Sequence, residues 1–415
     1  MKNDIIKFNN LILILIFILL YLSLIIGFYF NEDSTGGAFL DYRGQKGVSK
    51  AFAINFKDTF LNYDNFATRH SPVLIIFLSF FEKINLSDNL IRIIHLHILL
   101  VLPFVFYLIL IEKFRYIEKK YLLLIVGLVF LSPTFRSLSI WPDSRLLGLS
   151  IFSLSILFYL FFLKTHQLKY CFLNIIFCAF SAYISPNFSV FSIYFFYFFY
   201  KKYSYFSREL IYIILTNILL SLPALYYLFV LDVNFITKTA AITEKKNLIF
   251  FNNVANQILI IPSIIFFYFL PFYLTNILNL NFKNITSKII ISLLIFIICL
   301  IYFDYKFSYT GGGIFFKTSY FLFENNYLFY LISYISLLFL FLILSNKFEN
   351  YLIFLLILLS NPQISIYHKY YDPFLIIILF SLVNIDLDIK KIMKFKTNVF
   401  IYLYFTMFLI LGYLK

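Results

Sequence analysis

Charge is scarce in this chain. Only 13% of its 415 residues are Asp, Glu, Lys or Arg, while 62% are hydrophobic and 22% aromatic. Soluble domains carry about 25% charge, so that class is excluded. Apolar runs of about twenty residues, long enough to cross a bilayer core of about 30 Å, recur along the chain. The first, Leu11 to Phe30, is too long for a signal-peptide core and no small-residue cleavage site follows it, so it reads as a retained signal anchor. Cysteine is equally sparse. Cys171, Cys178 and Cys299 lie inside apolar runs, odd in number and without metal-ligand spacing. They read as buried packing residues, and no redox compartment follows from them. Acids are outnumbered, giving a net charge of +14. The basic residues are spread in short groups between apolar runs, however, which argues against a nucleic-acid partner. The bias to Phe, Ile, Leu, Lys, Asn and Tyr fits an AT-rich genome, so the aromatic count carries little functional weight.

Topology follows from those basic groups. Lys2 and Lys7, "EKFRYIEKK" (112–120), "KTHQLK" (164–169), "KKYSYFSR" (201–208), "FKNITSK" (282–288), Lys347 and "KKIMKFK" (390–396) alternate with segments that hold most of the acids. Those segments are 31–89, "IWPDSR" (140–145), "ISPN" (184–187), 231–254, 304–324 and "YHKYYDP" (367–373). Lys and Arg in short loops mark the cytoplasmic side. The expected fold is therefore all-α, a polytopic transmembrane helical bundle of about 13 spans. Spans are expected near 11–30, 90–111, 121–138, 146–163, 170–184, 186–200, 208–230, 255–278, 286–303, 325–345, 350–366, 371–385 and 397–414. The whole chain, 1–415, reads as one integral membrane domain. It comprises a long outer loop at 31–89, a core bundle at 90–230, and C-terminal spans at 231–415 with outer loops 304–324 and 367–373. Two amphipathic surface helices are expected in the first loop, at 46–62 and 71–84. The second has only about a dozen apolar positions, too few to span, and Pro72 suits its first turn.

On the outer face so defined, several polar residues collect at span ends. They are Glu32, Asp33, Asp41, Arg43, Arg69, His70, Asp143, Arg145, His368, Lys369, Tyr370 and Tyr371. Interfaces always gather charge and tyrosine, but ionisable groups at membrane depth usually face a cavity and act there. His95 and His97 face apart on one helix and read as packed in the bundle. "SYTGGGIFFKTS" (308–319) lacks the P-loop spacing and reads as a flexible loop over the site.

The order of these elements resembles the C-type (GT-C) glycosyltransferases, in particular the protein mannosyltransferase and aminoarabinose transferase type. "NED" (31–33) follows the first span, "RHSPVLIIFLSFFEKI" (69–84) opens a surface helix, and "NLIRIIHLHILLVLPFVFYLI" (89–109) is an Arg-led second span. "FLSPTFRSLSIWPDSRLLGLSIFSLSILFYLFF" (130–162) runs through Leu-Ser-Pro into a loop with acid and Arg, and "YHKYYDPFLIII" (367–378) resembles the basic, tyrosine-bearing late loop. The likeness covers residues 10–200 and, beyond them, that one element. It departs at His70-Ser71-Pro72, where relatives often have His-Pro-Pro, and at Glu32-Asp33-Ser-Thr-Gly-Gly, where many have Asp-Glu before Ala and Tyr.

The resemblance implies transfer of a sugar from a polyprenyl-phosphate donor to a lipid, glycan or protein acceptor. Reaction would occur on the outer, periplasmic or lumenal, face of a bacterial inner (plasma) membrane. An acceptor hydroxyl must lose its proton, and Asp33, then Glu32, are the expected general bases, with Asp41 a third candidate carboxylate and Asp143 a further site candidate. Arg145, Arg69, His70, Lys369 and His368 are the expected phosphate partners, with Tyr370 or Tyr371 as hydroxyl donors. The same positions also suit a plain cap at Asp33 and an ion pair between Arg145 and Asp143. No cofactor and no metal ligand set are expected, with room left for a divalent cation; membrane lipids are partners and nucleic acid is not. Two other readings stay open. One is a lipid-linked polysaccharide polymerase or ligase, whose active site tends to sit in a large late loop. The other is a secondary transporter or flippase, which would show internal repeats and mid-membrane polar groups.

Overall fold

The computed structural model describes residues 10–66, 68, 70–231, 250–307, 311–344, 347–363 and 365–413. Arg69, most of the segment 231–254 and the first three residues of "SYTGGG" lie outside them. The chain is helical throughout. An isolated bridge between Leu278 and Leu387 is the one β feature among the described residues.

Among the described residues, seven helices are long and apolar enough to cross a membrane, eight if one bent pair is a single span. That agrees with an all-α bundle but does not reach thirteen. Several expected spans are instead cut short by proline and polar residues. The chain also divides into two compact units by contact, close to the expected boundary at 230. The N-terminal unit holds described residues 10–231 with 405–413, and the C-terminal unit holds 250–404.

In the N-terminal unit, α1 (Asn10–Tyr29) is a 20-residue apolar helix. After it come α2 (Ala38–Ile54), α3 (Phe56–Leu61) and α4 (Pro72–Lys83), which together form the first long loop. Then follow α5 (Asp88–Leu99) and α6 (Val101–Lys113), one 26-residue apolar span. Next, α7 (Lys119–Phe130) and α8 (Pro133–Ile140) meet at 66°. Proline causes the bend: Pro133 cannot continue a helix but suits a first turn, and the Ser132 hydroxyl caps the amide of Phe135 at 2.9 Å. The unit continues with α9 (Ser144–Thr165), α10 (Leu168–Ile184), α11 (Ser192–Lys202) and α12 (Arg208–Phe229).

Helices occur where the surface helices of the first loop are expected, with different bounds. The expected 46–62 element starts earlier, as α2, and breaks at Asn55 before α3. The expected 71–84 helix is α4, with Pro72 at its start and Lys83 in its last turn. At 12 residues it is about 18 Å long, too short to span. It packs chiefly on α2, where Val48, Phe52, Tyr63, Ile75 and Tyr227 form a small apolar core. Helices α9 and α10 lie close. Asn174 donates to the carbonyl and hydroxyl of Ser155 at 2.9 and 2.8 Å, the kind of interhelical bond a membrane bundle uses in place of hydrophobic drive.

In the C-terminal unit, α13 (Phe250–Leu274) is the hub. Against it pack α14 (Ile285–Tyr302), α15 (Gly313–Phe323), α16 (Tyr327–Ile343), α17 (Phe348–Leu359) and α18 (Phe374–Ser381). The last helix, α19 (Phe395–Tyr413), begins in this unit.

Candidate functional site

Glu32 is an anchor. Its side chain is fully buried, and Arg136 from α8 grips it through Nε at 2.7 and 3.0 Å and through Nη2 at 2.7 Å. Arg136 also donates to the hydroxyl and carbonyl of Ser23, both at 2.9 Å, tying α8 to α1. Ser34 donates to the same carboxylate at 3.0 Å, and Trp141 Nε1 donates to the Glu32 carbonyl at 3.0 Å. The fit is tight: a Cβ on Gly27 would stand 2.1 Å from Glu32 Oε2. A carboxylate held this way stabilises the bend of the chain, and its expected part as a base is corrected accordingly.

Asp33 has a different occupation. It accepts from Thr35 Oγ1 at 3.2 Å and from three amides, Gly37 at 2.9, Ala38 at 3.1 and Phe39 at 3.2 Å. A carboxylate offers about four lone-pair sites, and all are taken. Gly36 and Gly37 adopt φ of 68° and 131°, which lets the chain fold back so that one side chain reaches those amides. Asp33 therefore caps α2, with its charge at the positive end of the helix. It has no lone pair left for an acceptor's proton.

The cap has a consequence one turn on. It fixes Asp41 in the first turn of α2, and there three expected site residues meet. Ligand atoms of Asp41, His70 and Asp143 all lie within 4.8 Å of one another. Asp143 is buried and caps α9, accepting from the amide of Arg145 at 2.7 Å. His70 immediately precedes the Ser71-Pro72 start of α4; its Nδ1 lies 3.3 Å from the Ser144 hydroxyl, and its carbonyl accepts from Tyr63 at 2.8 Å. Arg145 follows in the first turn of α9, half-buried. Beside Asp41, the Tyr42 hydroxyl donates to Asp88 at 2.6 Å. Burial, with that carboxylate beside it, pushes Tyr42 well above its ordinary value, so it stays a donor.

An apolar groove of about 450 Å³ lies between α4, α10, α11 and α12. Pro72, Ala179, Tyr183, Phe195, Pro223 and Tyr227 are among its walls, as is Ser71, next in the chain to His70. The Ser71 hydroxyl donates to the Tyr183 carbonyl, which ties this wall to α10.

The late-loop candidates belong to the C-terminal unit and are a cluster of their own. His368, Lys369 and Tyr370 form one 3₁₀ turn. His368 Nδ1 meets the Tyr268 hydroxyl at 3.2 Å, and Tyr370 donates to Gln363 at 2.6 Å. Lys369 Nζ sits 5.2 Å from the Tyr367 ring centroid, and Tyr371 is fully buried. The glycine tract serves this segment. Gly312 donates to the Ile366 carbonyl at 2.8 Å, and a Cβ on Gly311 would approach that oxygen to 2.5 Å. Gly311 thus admits a close backbone approach.

Outside the trio, His95 is buried and meets the Ser139 carbonyl at 3.1 Å, as expected of a packed residue, whereas His97, expected to be packed as well, is exposed and meets Tyr21 at 2.9 Å. Arg136 escaped the sequence reading, although a lone Arg in an apolar run is a recognisable signal. No known protein family, characterised protein or solved structure matches this chain.

Proposed function

We propose that this chain is a polytopic membrane glycosyltransferase, moving a sugar from a polyprenyl-phosphate donor to an acceptor hydroxyl on the outer face of a bacterial inner membrane. One juxtaposition carries the reading: two carboxylates and an imidazole meet, and Ser71 and Pro72, next in the chain to that imidazole, line an apolar groove. A lipid-phosphate sugar has the matching parts, an apolar chain for the groove and a charged, sugar-bearing head for the trio.

In this reaction the acceptor oxygen bonds to the anomeric carbon as the bond from that carbon to the phosphate oxygen breaks. The acceptor proton passes to a base, and polyprenyl phosphate leaves with the electron pair. Asp41 is the base in this reading, a half-exposed carboxylate that meets His70 and Asp143. His70 and the Arg145 guanidinium supply positive charge or donors to the phosphate as it leaves.

The test is transfer from a synthetic polyprenyl-phosphate sugar in proteoliposomes of the purified chain. Asp41→Asn is expected to cut turnover by about 10²–10⁴, with Asp33→Asn close to wild type. Near-normal turnover in Asp41→Asn removes it as the base. Solute movement across the vesicles with no transfer from any lipid-phosphate sugar overturns the reading in favour of a transporter.

A further inference from the structure

We infer that Asp41, His70 and Asp143 together hold one divalent transition-metal ion. Three separate elements each contribute one donor, the first turn of α2, the residue pair before α4, and the cap of α9. Their donor atoms lie within 4.8 Å of one another. Around a four- to six-coordinate ion with bonds of about 2.1 Å, neighbouring donors stand about 3.0–3.4 Å apart. An inward rotation of the half-exposed Asp41 and His70 side chains therefore completes the set.

Asp143 is the fixed point. It is 1% exposed, and its hold on the Arg145 amide sets the carboxylate at the head of α9. Coordination of His70 through Nε2 keeps the existing contact of Nδ1 with Ser144, the arrangement that orients a ligating imidazole. The two carboxylates supply oxygen donors and His70 a nitrogen. Mixed oxygen and imidazole donors suit Mn²⁺ and Zn²⁺, and three protein ligands leave further positions for water or a substrate oxygen.

The ion stands on these three side chains. Only its use rests on the transferase reading: its remaining positions would take phosphate oxygens of the donor. A singly bonded Asp41 would keep its second oxygen for the acceptor proton.

The test uses the full chain in nanodiscs, stripped with EDTA and titrated with Mn²⁺, with free Mn²⁺ read by electron paramagnetic resonance. One Mn²⁺ per chain is expected, displaced by Zn²⁺. Asp143→Asn and His70→Gln should each weaken it by at least roughly tenfold, and Asp33→Asn should bind as wild type. Asparagine caps a helix as aspartate does, so Asp143→Asn removes the ligand charge and leaves α9 capped. Gel filtration of each variant confirms the fold. No stoichiometric binding by the folded chain, or equal binding by Asp143→Asn, overturns the site. Binding that needs these residues in a chain that transfers no sugar upholds the ion and removes the transferase. Transfer undiminished by EDTA, with no Mn²⁺ bound, overturns the ion alone.

Discussion

Arg136 and Glu32 meet as a fully enclosed pair, 2.7 Å apart, with 5% of one side chain and none of the other exposed. The pair joins α8 to the chain leaving α1, and everything that follows in the first loop is set from that joint. Removing one partner leaves the other as an uncompensated buried charge, which typically costs about 3–5 kcal/mol. Arg136→Ala and Glu32→Ala should therefore each lower the thermal midpoint in detergent sharply, and Arg136→Met with Glu32→Met should lower it less than either. Equal or larger loss in the double variant would show that the pair does more than cancel its own burial.

Asp33 makes a second, milder prediction. As a cap it contributes about 1 kcal/mol, and asparagine, with one acceptor oxygen in place of two, should replace only part of that. Asp33→Ala is expected to destabilise modestly, Asp33→Asn less. Hydrogen exchange at the Ala38 and Phe39 amides, which bond different oxygens, is the direct readout, faster at both in Asp33→Ala and at one of them in Asp33→Asn. Unchanged exchange in Asp33→Ala would mean that other groups hold those amides.

How far the sequence reveals these features depends on distance along the chain. The α4 helix is legible because its cues are local: a proline at its start, a dozen apolar positions, a lysine in its last turn. The start of α2 is less so, since its cap lies five residues upstream of Ala38 and works only because two glycines turn the chain. Asp41, His70 and Asp143 are visible as polar residues at span ends, but their meeting is tertiary. The choice between carboxylates fails for the same reason. Nothing within "NEDSTGG" says that Glu32 finds Arg136 104 residues away. The number of spans is less legible, because Pro133 and Pro186 break apolar runs into pieces that hydropathy joins or divides arbitrarily.

Glycines give a third prediction, because their roles differ within one short stretch. Gly27→Ala would place a methyl group 2.1 Å from Glu32 Oε2 and should destabilise, with the loss reduced in Gly27→Ala plus Glu32→Ala. Gly44 and Gly47, inside α2, have nothing within 4 Å of an added Cβ. At such helical positions alanine is favoured by about 0.5–1 kcal/mol. Gly44→Ala and Gly47→Ala should raise the midpoint or leave it level. A fall in either would point to close contact on that face of α2.

Sidedness is the last prediction, and it constrains how the proposed donor is reached. The basic groups flanking the apolar runs assign 112–120 to the cytoplasm and the loop of α2 to α4 to the outside. Asp41 lies in α2 and His70 at the head of α4, so the trio shares the side of that loop. Lys50 in α2 is exposed, and so is Tyr116, at 64%, which makes both fair reporters. In intact cells an impermeant thiol reagent should label Lys50→Cys and spare Tyr116→Cys, on a background with Cys171, Cys178 and Cys299 replaced by alanine. Opened membranes should label both. Labelling of Tyr116→Cys in intact cells would invert the chain and turn Asp41, His70 and Asp143 to the cytoplasm. A donor presented at the outer leaflet could then not reach them, and the proposed reaction would have to draw on the inner leaflet instead.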